Sequence, residues 1–184
     1  MTADRDAGPR FREAGPGDAA ALLALKQDLD RETSFMLIEP GERTDTAADV
    51  AAELAQLAGA PNSVLIVAER AGAEMAGAET ARGLVGYVEG AGGRFRRSRR
   101  TVHIVIGVRA AASGQGVGSG LLSELESWAR ARGLHRLELT VMAHNRRASG
   151  LYERMGFAVE GRRRECLLVD GTLVDELYMA KLLY

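Results

Sequence analysis

Lysine is nearly missing from this 184-residue chain: Lys26 and Lys181 stand alone, so none falls between positions 27 and 180. That gap excludes a Walker-type phosphate loop, whose glycines must run into Gly-Lys-Ser/Thr. Cysteine is as scarce. The single thiol, Cys166, excludes an internal disulfide and gives no metal-ligand spacing. It falls in a strand-like run and reads as a buried, inert thiol. Aromatic residues make up 5%. No apolar run approaches the roughly 20 residues that a membrane-spanning helix needs. Met1 to Arg10 is polar and lacks the apolar core of a signal peptide. Neither sign of charge dominates. A net charge of −1 leaves no global electrostatic case for nucleic acid or membrane binding. What remains is an ordinary globular balance, 46% hydrophobic and 27% charged. The expectations are a cytoplasmic protein, a loose tail over residues 1–9 and a single domain over 10–184. No metal, nucleic-acid or membrane partner is expected.

Arg10 to Ala14 reads as a short first strand. Asp18 is placed to cap a helix carrying Leu22, Leu25 and Leu29 at helical spacing. Pro40-Gly41 signals a turn. Thr46 then caps a second helix with Val50, Leu54 and Leu57 on its apolar face. Strands follow at Val64–Ala68 and Leu84–Glu89, joined by a hairpin loop over 71–81. Arg94 to Arg100 is a basic loop, and Val102–Val108 is the strongest strand signal. A helix from Val117 to Arg132 stops at Gly133. A strand over Arg136–Met142 precedes a helix over Asn145–Met155 that Gly156 closes. Asp170-Gly171 joins two last strands, Ala158–Val169 and Thr172–Lys181, as a hairpin. Helices sit between strands while hairpins dominate the middle and the end. The fold class is therefore α+β, a mixed and mostly antiparallel sheet flanked by about four helices.

Four glycines at alternate positions, 114, 116, 118 and 120, lie between the strongest strand and its helix. Backbone without side chains at a helix start is an anion grip, because free N–H groups and the positive end of the helix dipole coincide there. The dinucleotide pattern Gly-x-Gly-x-x-Gly fails: from Gly114 the sixth residue is Ser119, and from Gly116 it is Leu121. From the glycines alone, a phosphate grip and a plain tight turn stand level.

A second segment separates them. Asn145-Arg-Arg-Ala148-Ser-Gly-Leu151-Tyr152-Glu-Arg-Met-Gly156-Phe157 follows one strand after the glycine helix. Together with Ser113-Gly-Gln-Gly116-Val-Gly118 it resembles the paired signatures of the GNAT family of N-acetyltransferases. The likeness extends to Phe35-Met36, to Glu39 through Arg43, to Val105-Ile106-Gly107 and to the closing stretch Asp170-Gly171 through Met179. One departure stands out. Ser113 occupies a position where that family carries Arg or Gln.

The resemblance implies acetyl-CoA as donor, a primary amine of a small molecule or peptide as acceptor, and direct transfer with no acyl-enzyme. It implies that Ser113, Gly114, Gln115, Gly116, Val117, Gly118 and Ser119 hold the pyrophosphate. Ile106, Gly107 and Val108 would hold the arm and the acetyl carbonyl, with Gly107 as the site of a bulge. Asn145 and Ala148 would contact the cofactor, Asn145 also capping its helix. Tyr152 would protonate the departing thiolate. The base stays open. The family's glutamate five residues before the asparagine is replaced by Thr140, and Glu138 lies one pair further back on the same strand face. His103 and Glu89 are the remaining candidates. Arg96, Arg97, Arg99 and Arg100 make a basic loop that reads as solvated, with contact to the cofactor's 3′-phosphate or an acidic partner as the alternative. Arg162 to Arg164 fit an exposed strand edge. Glu39, Glu42 and Asp45 would give the acceptor site an acidic wall. A homodimer is compatible with the family and left open. The competing function is a non-enzymatic acyl-CoA-binding module on the same fold.

Overall fold

A computed structural model describes residues 8–70 and 83–184. In chain order it contains β1 (Arg10–Glu13), α1 (Ala19–Glu32), α2 (Ala47–Gly59), β2 (Val64–Glu69), β3 (Leu84–Gly92), β4 (Thr101–Val108), α3 (Val117–Ala131), β5 (Arg136–Met142), α4 (Arg146–Arg154), β6 (Ala158–Val169) and β7 (Thr172–Leu182). The strands form one sheet in the order β1-β2-β3-β4-β5-β7-β6. All neighbours run antiparallel except β4 and β5, which run parallel. This is the mixed α+β sheet that the alternation of patterns indicates. The hairpin loop expected over 71–81 lies outside the described residues.

Periodicity decides what each face buries. Leu121, Leu122 and Leu125 of α3 pack with Val88, Leu137, Leu139 and Met179 on one side of the sheet. Leu22, Leu25 and Leu29 of α1 and Leu54 of α2 pack with Leu65, Val67 and Tyr87 on the other. Helix α3 lies very close to the first strand. A Cβ at Gly120 would stand 2.1 Å from the ring of Phe11. Thr46 caps α2 as its sequence position indicates. Its hydroxyl accepts from the Asp49 N–H at 3.2 Å, and Asp49 accepts from the Thr46 N–H at 2.8 Å.

Three expectations change. Asp18 precedes α1, but its side chain makes no capping bond. It accepts instead from the Gly15 N–H at 2.9 Å and from both terminal nitrogens of Arg12 at 2.8 Å. A guanidinium presenting two aligned donors outcompetes a single backbone N–H. Gly107 forms no bulge. The β3–β4 register runs without a break from Gly86↔Val108 to Gly92↔Val102. The glycine is needed because a Cβ there would stand 2.5 Å from Leu29 Cδ1 and 3.0 Å from Tyr87 Cε1. The basic loop precedes β4, whereas the glycine loop follows it. Eight extended residues separate the two ends by about 25 Å. The loop therefore stands away from any phosphate bound at the glycines.

Candidate active site

β4 and β5 pair only through Thr101–His103 against Arg136–Glu138. Beyond those three rungs the parallel strands part, and β4 carries on to Val108 against β3 alone. The gap opens into a cavity of about 670 Å³. Its walls include Ile106, Gly107 and Val108 from β4, and Gly114, Gly116, Gly118 and Ser119 from the glycine loop and α3.

The glycine loop is shaped for an anion. Gly114 and Gly116 hold φ of +77° and +81°, a left-handed conformation that L side chains seldom adopt. Successive N–H groups in such a turn converge on a concavity, here at the N-terminus of α3. No atom stands within 4 Å of where a Gly116 Cβ would be, so a ligand can approach the backbone. The loop is tied to α1. Arg109 pairs with Asp28 and with Glu32, and the Ala110 N–H donates to Glu32 at 2.9 Å.

Asn145 caps α4, its Oδ1 accepting from the Ala148 N–H at 3.1 Å, and it also lines the cavity with Ala148. The cap reading of Asn145 is observed, and its place on the cavity wall is compatible with a second role. Tyr152 projects from α4 into the same cavity and is 7% exposed. Burial pushes its hydroxyl up to about 12, so it stays protonated at neutral pH. Its ring packs against Phe157, with centroids 6.0 Å apart.

The structure divides the remaining expected residues. Ser113 lines the cavity. Gln115 and Val117 do not: the Gln115 amide donates back to the Ala111 carbonyl at 2.8 Å, and Val117 is buried in the core. Only their backbone N–H groups remain available to a ligand. Of the two candidate bases, His103 is exposed on the cavity wall. Glu89 is not on that wall. It sits with Lys26 Nζ at 3.9 Å, and burial raises its carboxyl above the ordinary value, with Lys26 opposing the rise. It is one strand away from the wall, opposite Val105. Glu39, Glu42 and Asp45 do not reach the wall either. Glu42 accepts from the Glu39 N–H and Asp45 lies by Arg43. From that connection the cavity takes Phe35, Met36 and Leu37 instead, an apolar wall rather than an acidic one.

Four charged residues line the cavity without having been candidates, Glu32, Arg147, Arg154 and Glu176, and two of them matter most. Arg147 lies beside the glycine loop, its Nη2 3.7 Å from where a Gly114 Cβ would stand. Its place in the first turn of α4, two residues after the Asn145 cap, is the signal that would have pointed to it. Glu176 of β7 is 8% exposed and lines the cavity across from the loop. Its register partner is Met142, and Thr140 faces Tyr178. With the His103↔Glu138 pairing, alternation puts His103, Thr140, Glu176 and Tyr178 on one sheet face. Cys166 is half-buried rather than fully buried, with Sγ 3.6 Å from Glu176 Oε2. Among the described residues no group of three or more His, Cys, Asp or Glu could hold a metal ion.

The split parallel pair, the glycine turn at a helix start and the buried tyrosine all line one cavity. Residues 24–157 match the family model described as acetyltransferase (GNAT) family, and the chain belongs to that family. It is an acetyl-CoA-dependent enzyme that transfers the acetyl group to a primary amine. It is 29% identical over 171 residues to an L-methionine sulfoximine/L-methionine sulfone acetyltransferase of Pseudomonas paraeruginosa, covering 92% of this chain and 91% of that protein. It is 37% identical over 71 residues to an L-amino acid N-acetyltransferase of Escherichia coli, covering 36% and 42%. A GNAT-family acetyltransferase structure from Streptococcus pneumoniae superposes with a TM-score of 0.87 at 28% identity, over 95% of this chain and 99% of that one.

Proposed function

We propose that this enzyme acetylates the α-amine of a free amino acid or a close analogue. One observation carries the reading: a single cavity joins the glycine loop, Tyr152 and a buried carboxylate, Glu176, facing an apolar wall of Phe35, Met36 and Leu37. An ammonium group needs an anion, and a small side chain needs apolar surface; this cavity supplies both. The names of the two sequence relatives, each an acetyltransferase of amino acids or their analogues, support the same class.

In this reading the N–H groups from Gly114 to Ser119 hold the pyrophosphate, with Arg147 as their cation. Ile106, Gly107 and Val108 present backbone to the pantetheine arm and the acetyl carbonyl, and Asn145 and Ala148 flank it. The amine nitrogen bonds to the acetyl carbon, the carbon–sulfur bond breaks, and Tyr152 gives its proton to the sulfur. His103 on the wall is the nearer base for the amine, and Glu89 serves only through water. Acetyl-CoA supply places the reaction in the cytoplasm. No described helix is long and apolar enough to cross a membrane. Residues 10–184 act as one domain. A homodimer would cover the sheet face that leaves Tyr178 and Leu182 exposed; light scattering should then give twice 19.7 kDa.

The test is thiol release from acetyl-CoA across a panel of L-amino acids, peptides and simple amines, with N-acetyl products read by mass spectrometry. Turnover is expected with free amino acids ahead of peptides. Turnover confined to peptide N-termini would overturn the reading.

A further inference from the structure

The β6–β7 hairpin contains an ion pair that the cofactor chemistry does not use. Between Arg163 and Leu167 the register of β6 against β7 shifts. Glu165 holds φ of +50° within that shift, and its N–H donates to Asp175 at 2.7 Å. The irregularity sets Arg163 and Cys166 on one partner. Arg163 Nη1 donates to Glu176 Oε2 at 2.6 Å, and Cys166 Sγ lies 3.6 Å from the same oxygen. The two ends of the pair differ in surroundings. The Glu176 side chain is 11% exposed, whereas that of Arg163 is 46% exposed, with its guanidinium 5.8 Å from the Tyr178 ring centroid. Leu167, just past the shift, lines the cavity next to Glu176.

A half-exposed ion pair adds little to stability. A buried carboxylate, in contrast, must keep a cationic partner or lose its charge. Glu176 is thus held ready at the cavity wall by a guanidinium that can move into solvent without being buried. A negative group on the cavity wall and a positive group bonded to it from just outside the lining match the ammonium and carboxylate of a zwitterion in reverse order. Of the two arginines that line the cavity itself, Arg147 and Arg154, Arg147 lies beside the glycine loop.

Resting on the reading of a free amino acid as acceptor, we infer that the Arg163–Glu176 pair is the acceptor's recognition site. Glu176 receives the α-ammonium and Arg163 receives the α-carboxylate, so one internal ion pair is exchanged for two with the substrate. The pair thereby selects free amino acids over peptides and amides, which offer an ammonium group and no neighbouring carboxylate.

The test uses steady-state kinetics with L-methionine sulfone and with its carboxamide, on the unaltered enzyme, Arg163→Ala, Arg163→Lys and Glu176→Gln. Arg163→Ala should raise KM for the amino acid roughly tenfold more than KM for the carboxamide, which loses only the counter-ion of Glu176; the difference is the size expected for losing one charged hydrogen bond. Arg163→Lys should restore part of the discrimination. Glu176→Gln should raise KM for both acceptors. KM for acetyl-CoA should stay constant throughout, which a collapse of the hairpin would not allow. Equal shifts for the two acceptors in Arg163→Ala, or none, would overturn the inference while leaving the proposed function standing. An unaltered enzyme that acetylates neither compound nor any other free amino acid would overturn both.

Discussion

Tyr152 is the residue on which the proposed chemistry turns. Removing its hydroxyl leaves the ring's packing against Phe157 in place, so Tyr152→Phe should fold normally. Loss of a proton donor to the leaving group is predicted to lower kcat about 100-fold or more, with little change in KM for acetyl-CoA. Stopped-flow or steady-state thiol release reads both. In the proposed reading Arg147 answers the departure at Ser113, because its guanidinium stands next to Gly114. Arg147→Ala is therefore predicted to raise KM for acetyl-CoA roughly tenfold, the loss of a charge-assisted contact, while Ser113→Ala should change it little. Glu89 carries a pH signature of its own. Burial raises its folded-state carboxyl above the unfolded value, so its contribution to stability is full at low pH and is lost as pH rises through the raised value. Compared with the parent, Glu89→Gln should gain relative stability as pH rises above the ordinary carboxylate range, measured by urea denaturation. An unchanged difference across that range would contradict a raised carboxyl.

Elements whose patterns are local were legible from the sequence. The leucines of α1, the Thr46 cap of α2 and the Asp170-Gly171 hairpin each follow from spacing within a few residues. Thr46→Ala should accordingly cost about 1 kcal/mol of stability, read as a lower denaturation midpoint. What escaped the sequence was non-local. The parting of β4 from β5 after three rungs has no marker in either strand, because it depends on which neighbour each strand pairs with next. Gly107 was legible as a special position but not for its reason: the constraint is Leu29 and Tyr87, both distant in sequence. Asp18 likewise faces a partner, Arg12, that capping rules do not consider. Glu176 was hidden among the charges of an edge hairpin, and only the β5–β7 register brings it to the cavity. Gly120 offers a test of that close packing. Gly120→Ala drives a methyl into the Phe11 ring and should lower stability by about 1–3 kcal/mol without altering KM for acetyl-CoA.

For the molecule as a whole, the sheet's architecture separates three charged regions by function. The glycine loop at one end of β4 is the proposed seat of the anionic cofactor. The basic loop at the other end, with Phe95 76% exposed among its arginines, stands apart from it. The β6–β7 hairpin brings the acceptor's counter-charges to the open side. The account's central claim is that the gap between β4 and β5 is the cofactor's seat, with Tyr152 at its reacting end. A crystal structure of the CoA complex tests this most directly. The account predicts the pyrophosphate on the N–H groups of residues 114–119 and the sulfur within hydrogen-bonding distance of the Tyr152 hydroxyl. A pyrophosphate bound away from that loop, or a sulfur out of reach of Tyr152, would contradict it.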